Sequence, residues 1–489
     1  MNNNIKMPVI LIGNSFKYEI EATLKMFFPT SRFSFSDNIK EAEAETCIIA
    51  GVMGSEIYTD VKIDGVNFHS EKNLYSTDTK TVEHELCRLI YHILSDRLHI
   101  TSPWGLMTGI RPVKKVTELI AQGKDFAEIR YILIEKYELS EEKLGLAYNT
   151  AINQLPIIEK INRKAVSLYI SIPFCPTRCS YCSFVSHSME TAVRLIPEYV
   201  EALCREIEII GNIVHETGTE IDTVYFGGGT PTSIPAEDIK TIMECVRKNF
   251  DLGKIREYSF EAGRPDTITV EKLRVIKELG GQRISINTQT LNDEVLKVIG
   301  RQHTGNEFIE AFELARKTGF KNINTDLIAG LPTETTASFR NTLDKVIELA
   351  PENITVHTLT IKRAANLFGQ NVPENKEISV SEMVDYSVEK LMNNGYMPYY
   401  LYRQKNTIDN LENVGYSKKG CESYYNIFIM DETQTILGAG CAASTKLVYP
   451  DGKITRIHNY KFPYEYIRNF EQLMDKKKEI IECLKKINS

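Results

Sequence analysis

The pattern of apolar and polar positions divides the chain into three stretches. In residues 1–165, the run MPVILIGNS (7–15) followed by KYEIEATLKMFF (17–28) reads as a strand and then a helix. A buried strand follows (AETCIIAGV, 44–52), then a hairpin (EIYTDVKIDGVNFHS, 56–70) with Asp64-Gly65 at its turn. Residues 81–98 carry apolar side chains at helical spacing, and 124–163 do so again. Between them, TSPWGLMTGIRPVKK (101–115) is a turn-rich connector holding the only tryptophan, Trp104. No catalytic motif stands out here.

Near residue 166 the pattern becomes strand–helix alternation, and it repeats. Apolar runs at 167–172, 222–226, 257–262, 283–287, 322–329 and 354–359 are separated by segments of helical spacing. Six such strands predict an α/β fold with a parallel sheet, rolled into a partial or full barrel. Barrels of that kind take their active residues from the carboxyl ends of the strands. Residues 363–489 are less regular. They hold an aromatic cluster, GYMPYYLYRQ (395–404), and a glycine-rich segment, LGAGCAAS (437–444). The last stretch, from Tyr464, reads as one amphipathic helix whose lysines form a solvated face. The division expected is an amino-terminal α/β domain over 1–165, a barrel over 166–362, and a mixed region over 363–489 that covers the substrate.

Composition narrows the class without choosing a function. The chain is 42 % hydrophobic and 25 % charged, as ordinary soluble globular proteins are. A formal charge of −7 lacks the basic excess of a nucleic-acid-binding surface. The opening apolar run is too short for a signal-peptide core, and nothing approaches the roughly 20 apolar residues of a membrane span. These features predict a cytoplasmic protein without nucleic-acid partners.

Ten cysteines are present, and seven are scattered as small buried side chains would be. The other three change the picture. Cys175, Cys179 and Cys182 form a C-x3-C-x2-C pattern on the loop expected after the first barrel strand. Three close thiolates serve zinc or iron–sulfur chemistry. Structural zinc takes four protein ligands, usually as two separated pairs, and no second C-x2-C or H-x3–5-H pair exists here. Three ligands on a cubane leave one iron open, which suits a cluster that holds a substrate or cofactor there.

With Tyr181 before its last cysteine, this motif resembles the radical S-adenosylmethionine (radical SAM) superfamily. The preceding Tyr169-Ile-Ser-Ile-Pro173-Phe-Cys175 resembles the YIHIPFC signature of its oxygen-independent coproporphyrinogen III oxidase-like subgroup. YFGGGTPT (225–232), SFEAGRPDT (259–267), RISINTQTLNDEVLKVIGRQHT (283–304) and NTDLIAGLPTET (324–335) match that subgroup in order. GIRP (109–112), YYLYRQK (399–405) and LENVGY (411–416) point to a longer coproporphyrinogen dehydrogenase-like branch.

The resemblance implies a [4Fe–4S] cluster on Cys175, Cys179 and Cys182, with S-adenosylmethionine chelated at the open iron. It implies cofactor-binding roles for Tyr169 (donor to the carboxylate), Gly228 and Gly229 (close backbone approach to the methionyl group) and Thr230. Glu261 would accept from the ammonium group, Arg301 would fork onto a carboxylate, and Gln289 and Asp326, ending the fourth and fifth strands, would take ribose hydroxyls. Tyr181 would stack near the adenine. His303 and His357 stay ambiguous between the site and the core. Lys362, Arg363 and Arg403 are candidates for substrate carboxylates.

The implied reaction is oxidative decarboxylation of coproporphyrinogen III to protoporphyrinogen IX in heme biosynthesis. It needs no catalytic residue beyond the cluster and cofactor, and draws electrons from a donor such as flavodoxin or ferredoxin. Two vinyl groups per product imply two turnovers or two bound cofactors. Departures keep alternatives open. Ser171 stands where the subgroup often has His, and Phe184 where the best-known oxidases carry a further cysteine. Related heme chaperones share that Phe but carry an HNxxYW motif, where this chain reads Tyr425-Asn426-Ile-Phe-Ile-Met. A heme chaperone, or another radical reaction on a tetrapyrrole such as ring opening of heme, is the second reading.

Overall fold

The computed structural model describes residues 6–29, 31–184, 187–360, 378–404 and 407–488. They fall into two compact units. The first comprises Met1–Pro112, Glu118–Gly145 and Arg403–Leu411; the second comprises Val113–Thr117, Leu146–Tyr402 and Glu412–Ser489.

The first unit is built on a five-stranded sheet of β1 (Lys6–Ile12), β2 (Arg32–Ser36), β3 (Cys47–Met53), β4 (Glu56–Ile63) and β5 (Val66–Asn73). Their order is β2-β1-β3-β4-β5, with β1 parallel to both neighbours and the last three antiparallel. Asp64 (φ +49°) and Gly65 (φ +80°) take the left-handed conformation that a two-residue hairpin turn demands. The helix Thr79–Leu98 starts at Asp78, whose side chain accepts from the Thr81 N–H. It buries Leu86, Ile90 and Leu94 against Val9, Ile48 and Ile57 of the sheet.

The second unit holds an eleven-stranded sheet. Its centre is six parallel strands: β6 (Ala165–Ile172), β9 (Glu220–Gly228), β10 (Glu257–Glu261), β11 (Arg283–Ser285), β12 (Asn322–Ala329) and β13 (Asn353–Thr358). A two-residue pair, β7 (Phe174–Cys175) with β8 (His187–Ser188), lies apart from it. Beyond β13 come β15 (Glu412–Ser417) and β14 (Met397–Arg403). Beyond β6 come β16 (Ile436–Ala439), β17 (Ser444–Val448) and β18 (Ile454–His458). The sheet is not closed by these pairings, so the architecture is a partial barrel.

Register sorts the side chains of the six strands into two sets. Tyr169 sits opposite Tyr225, Glu261 opposite Ser285, Ser285 opposite Asn324, and Asp326 opposite Thr355. One face is therefore polar: Tyr169, Tyr225, Glu261, Asn324, Asp326 and His357 share it. The other face carries Leu168, Ile170, Val224, Phe226, Phe260, Ile284 and Ile323, all buried. Parallel strands covered on both faces by helices are apolar on both, so a polar face marks the side built for something other than packing.

The carboxyl terminus departs from the expectation of a single helix. It forms Pro463–Arg468, Phe470–Lys477 and Glu479–Asn488. Lys477 is not solvated but fully buried, paired with Glu206 of the helix Ile196–Glu216.

Candidate functional site

Cys175, Cys179 and Cys182 follow β6 on a loop clamped from three sides. The Thr230 N–H donates to the Phe174 carbonyl at 2.7 Å, and the Ser233 hydroxyl donates there at 3.0 Å. The Ser180 N–H donates to the Ile299 carbonyl at 2.9 Å, and the Thr177 hydroxyl to the Gly300 carbonyl at 3.1 Å. The third clamp is Arg264, which the motif reading passed over. Buried and fixed by Asp266 at 2.7 and 2.8 Å, it donates to the Thr177 hydroxyl at 3.1 Å and points at Cys179 Sγ, 3.8 Å away. Burial pushes the Cys182 thiol up to about 11, and nearby Cys179 and Cys175 add to this against a Phe184 backbone hydrogen bond. Such thiols become thiolates when a metal displaces the proton.

The glycine stretch closes over this loop. A Cβ on Gly229 would meet the Phe174 carbonyl oxygen at 2.6 Å and Cys175 Sγ at 3.0 Å. Gly228, at φ +112°, would press on Ser171 and Ile172. Chain-to-chain packing therefore already requires both glycines, whatever ligand approaches them. Thr230 places its hydroxyl 3.4 Å from Cys175 Sγ, while its N–H is committed to Phe174.

On the polar face, Glu261 accepts from the Tyr225 hydroxyl. Burial pushes its carboxyl up to about 7; Asp326 adds to this, while Tyr225 and His357 oppose it. Tyr225 stacks on Tyr425 at 4.3 Å, and Tyr169 lies 6.2 Å from both. Asp326 is not at a strand end but in the middle of β12. Its oxygens accept from Asn287 and Asn324, each at 2.8 Å, and His357 Nε2 lies 3.8 Å away. Burial raises this carboxyl, but the His357, Asn324 and Thr355 hydrogen bonds win and hold it below its usual range. His357 completes the group, with Tyr402 at 3.4 Å from Nδ1.

Two buried polar atoms face the opposite situation. Gln289 lies four residues past β11, at φ +67°, and its Oε1 has no hydrogen-bond partner. Arg301 donates one terminal nitrogen to the Asn287 carbonyl (2.6 Å) and the other to the Tyr181 hydroxyl (3.4 Å), but its Nε is unpartnered. Buried unpaired groups of this kind cost about 1–3 kcal/mol each. Beside them, His303 is held neutral, pushed down to about 3 by burial and then by the Arg301 charge.

A family model described as the Radical SAM superfamily matches residues 169–346. Over 98 % of this chain and 96 % of its own length, the oxygen-independent coproporphyrinogen-III oxidase-like protein HemZ of Bacillus subtilis is 39 % identical. The chain belongs to the radical SAM superfamily, in its oxygen-independent coproporphyrinogen III oxidase-like subgroup. The heme chaperone HemW of Escherichia coli is a more distant relative, 29 % identical over 62 % of this chain and 76 % of that one. In fold, the coproporphyrinogen III oxidase HemN from Escherichia coli aligns with a TM-score of 0.50 at 22 % identity, over 66 % of this chain and 73 % of that one.

A radical SAM enzyme holds a [4Fe–4S] cluster and S-adenosylmethionine, and the residues fit both. Among the described residues no three His, Cys, Asp or Glu side chains close around a single ion. A cubane takes each thiolate at a different iron, so it asks for a wider spacing than one ion does. Arg301 Nε is a free donor for a carboxylate and Gln289 Oε1 a free acceptor for a hydroxyl. Arg403 does not serve as expected. It is buried over Trp104 at 5.6 Å and donates to the Met107 and Asn410 carbonyls. Lys362 and Arg363 lie outside the described residues. No helix among the described residues is long and apolar enough to cross a membrane.

Proposed function

We propose that this enzyme converts coproporphyrinogen III to protoporphyrinogen IX by oxygen-independent oxidative decarboxylation, as a step in heme biosynthesis. The observation that carries the reading is the clamped three-cysteine loop set beside two unpaired buried groups, in a chain that parallels an oxidase-like relative almost end to end. When bound, the cluster and S-adenosylmethionine would supply the radical chemistry that removes a hydrogen from the β-carbon of a propionate, whose loss of CO2 and one electron to an acceptor leaves the vinyl group. The residues of the chain bind, orient and exclude water.

Cys175, Cys179 and Cys182 hold the cluster. Arg301 and Tyr169 would receive the cofactor carboxylate, Glu261 its ammonium group, Gln289 a ribose hydroxyl, and Tyr181 the adenine. Gly228, Gly229 and Thr230 keep the loop at its distance from β9, and Asp326 steadies Asn287 and Asn324. Residues 1–165 would then be an amino-terminal domain, 166–362 the reactive barrel, and 363–489 the substrate cover. A flavodoxin or ferredoxin supplies the electron in the cytoplasm.

The test is anaerobic, cluster-reconstituted protein given coproporphyrinogen III, S-adenosylmethionine and a reductant. The expected result is CO2 release with one 5′-deoxyadenosine per propionate oxidised, abolished when the three cysteines are replaced by Ala. Stable heme binding without porphyrinogen turnover would overturn it in favour of a chaperone. Heme consumption with 5′-deoxyadenosine formation would overturn it in favour of ring opening.

A further inference from the structure

Two of the scattered cysteines meet. Cys204 lies on the helix Ile196–Glu216 and Cys245 on the helix Ala236–Asn249, which run against each other in the second unit. The helices approach closely at Gly211, where a Cβ would stand 2.9 Å from Cβ of Asn249. That proximity lets the Cys245 thiol donate to the Cys204 carbonyl at 3.4 Å and brings the two side chains into interaction. Asn249 Nδ2 lies 3.6 Å from Cys245 Sγ. Both cysteines are partly accessible, and both line an open groove of about 640 Å³ that also presents Glu208 and Lys248.

We propose that Cys204 and Cys245 form a reversible dithiol–disulfide pair, separate from the cluster, that is oxidised by low-molecular-weight disulfides entering this groove. Asn249 Nδ2 donates to Cys245 Sγ at 3.6 Å, and with the Cys204 thiol this favours the Cys245 thiolate against burial and the Glu208 charge, so Cys245 is the first nucleophile. Its thiolate attacks one sulfur of oxidised glutathione, forming a mixed disulfide and expelling one glutathione thiolate. Cys204 then gives up its proton and attacks Cys245 Sγ, expelling the second. Two protein thiols are oxidised, one disulfide is reduced to two thiols, and the two protons pass to the leaving thiolates. The bond ties together the helices that follow the cluster loop and the glycine stretch. In a reducing compartment, disulfides of this kind are redox-responsive and not permanent staples.

The experiment treats anaerobic holoprotein with oxidised glutathione, blocks remaining thiols with N-ethylmaleimide and maps peptides by mass spectrometry. The expected product is a Cys204–Cys245 cross-linked peptide, reversed by dithiothreitol, with the visible cluster absorbance unchanged. Cys204→Ser should leave Cys245 carrying a single glutathione, and Cys245→Ser should leave Cys204 reduced. Free alkylation of both cysteines after treatment would overturn the proposal. So would separate glutathione adducts without a cross-link, or Cys204 reacting equally well in Cys245→Ser. Circular dichroism of both Ser variants checks that the fold is retained.

Discussion

Two buried polar clusters of the second unit contrast sharply. Around Glu206, the carboxylate accepts from the Gly440 N–H at 2.7 Å, Asn459 at 2.8 Å, the Tyr466 hydroxyl at 2.5 Å and Lys477, which also donates to the Gly438 carbonyl. Both charged groups have every partner they need from the chain itself. Around Arg301, Gln289 and Glu261, by contrast, two atoms are unpaired and a carboxyl is destabilised by burial. Charge matched by the chain's own partners marks architecture; unpaired polarity beside the cysteine loop, retained at a cost in stability, marks a place where a ligand completes the bonding.

Removing a partner from the saturated cluster should have the largest effect. Lys477→Met leaves the Glu206 carboxylate buried and uncompensated, which costs about 3–5 kcal/mol. The urea midpoint should fall accordingly, while cluster content per folded molecule stays the same. Replacing both residues with apolar ones should restore most of the loss. A single variant as stable as the parent would break the contrast.

Glu261 should show the opposite behaviour. Its folded value, about 7, lies above the unfolded 4.5, so between those values the folded chain keeps a proton that the unfolded chain releases. The contribution of Glu261 to ligand-free stability is then full below about 4.5 and is lost as pH rises through about 7. The full shift corresponds to at most about 3 kcal/mol, less because the side chain keeps an accessible edge. Glu261→Gln should flatten that slope in urea unfolding. It should also flatten the rise of S-adenosylmethionine affinity with pH, since a cation beside the carboxyl favours its ionised form. An unchanged pH slope in the variant would place the titration elsewhere.

Only the ligand-binding half of this contrast is legible in the sequence, and only through its motifs. The cysteine motif and the six strands are local patterns, whereas the polar face, carried by alternations such as Ser-Leu-Tyr-Ile-Ser-Ile and Asn-Ile-Asn-Thr-Asp-Leu, is masked by reading those segments as apolar runs. What escaped depends on contacts distant in sequence. Lys477 reads as one more surface lysine until the carboxyl-terminal helices fold against Glu206, 271 positions earlier by subtraction of the residue numbers. Cys204 and Cys245 read as unrelated until Gly211 lets two helices close. The mid-strand place of Asp326 and its side-chain contacts with Asn287 and His357 join residues 39 and 31 positions apart by number, which a local pattern does not show. Short β2 went unnoticed because Arg-Phe-Ser-Phe-Ser is only half-buried and gains its identity from pairing with β1.

The smallest effect is the sharpest discriminator, because its two halves carry opposite signs. Gln289 keeps its Oε1 buried without a partner, so the ligand-free protein bears the desolvation cost of that atom. Gln289→Met preserves the length of the side chain and removes the stranded acceptor. The strained φ of +67° is common to both residues and cancels in the comparison. The empty protein should therefore gain about 1 kcal/mol in urea unfolding. If the acceptor serves a ribose hydroxyl, the same change should weaken S-adenosylmethionine binding by about tenfold, which is roughly 1.4 kcal/mol. Equilibrium dialysis of the cluster-loaded variant measures that half directly. A variant that loses stability would show that Gln289 is a structural residue like Glu206. One that gains stability and binds the cofactor unchanged would show that the acceptor serves another ligand.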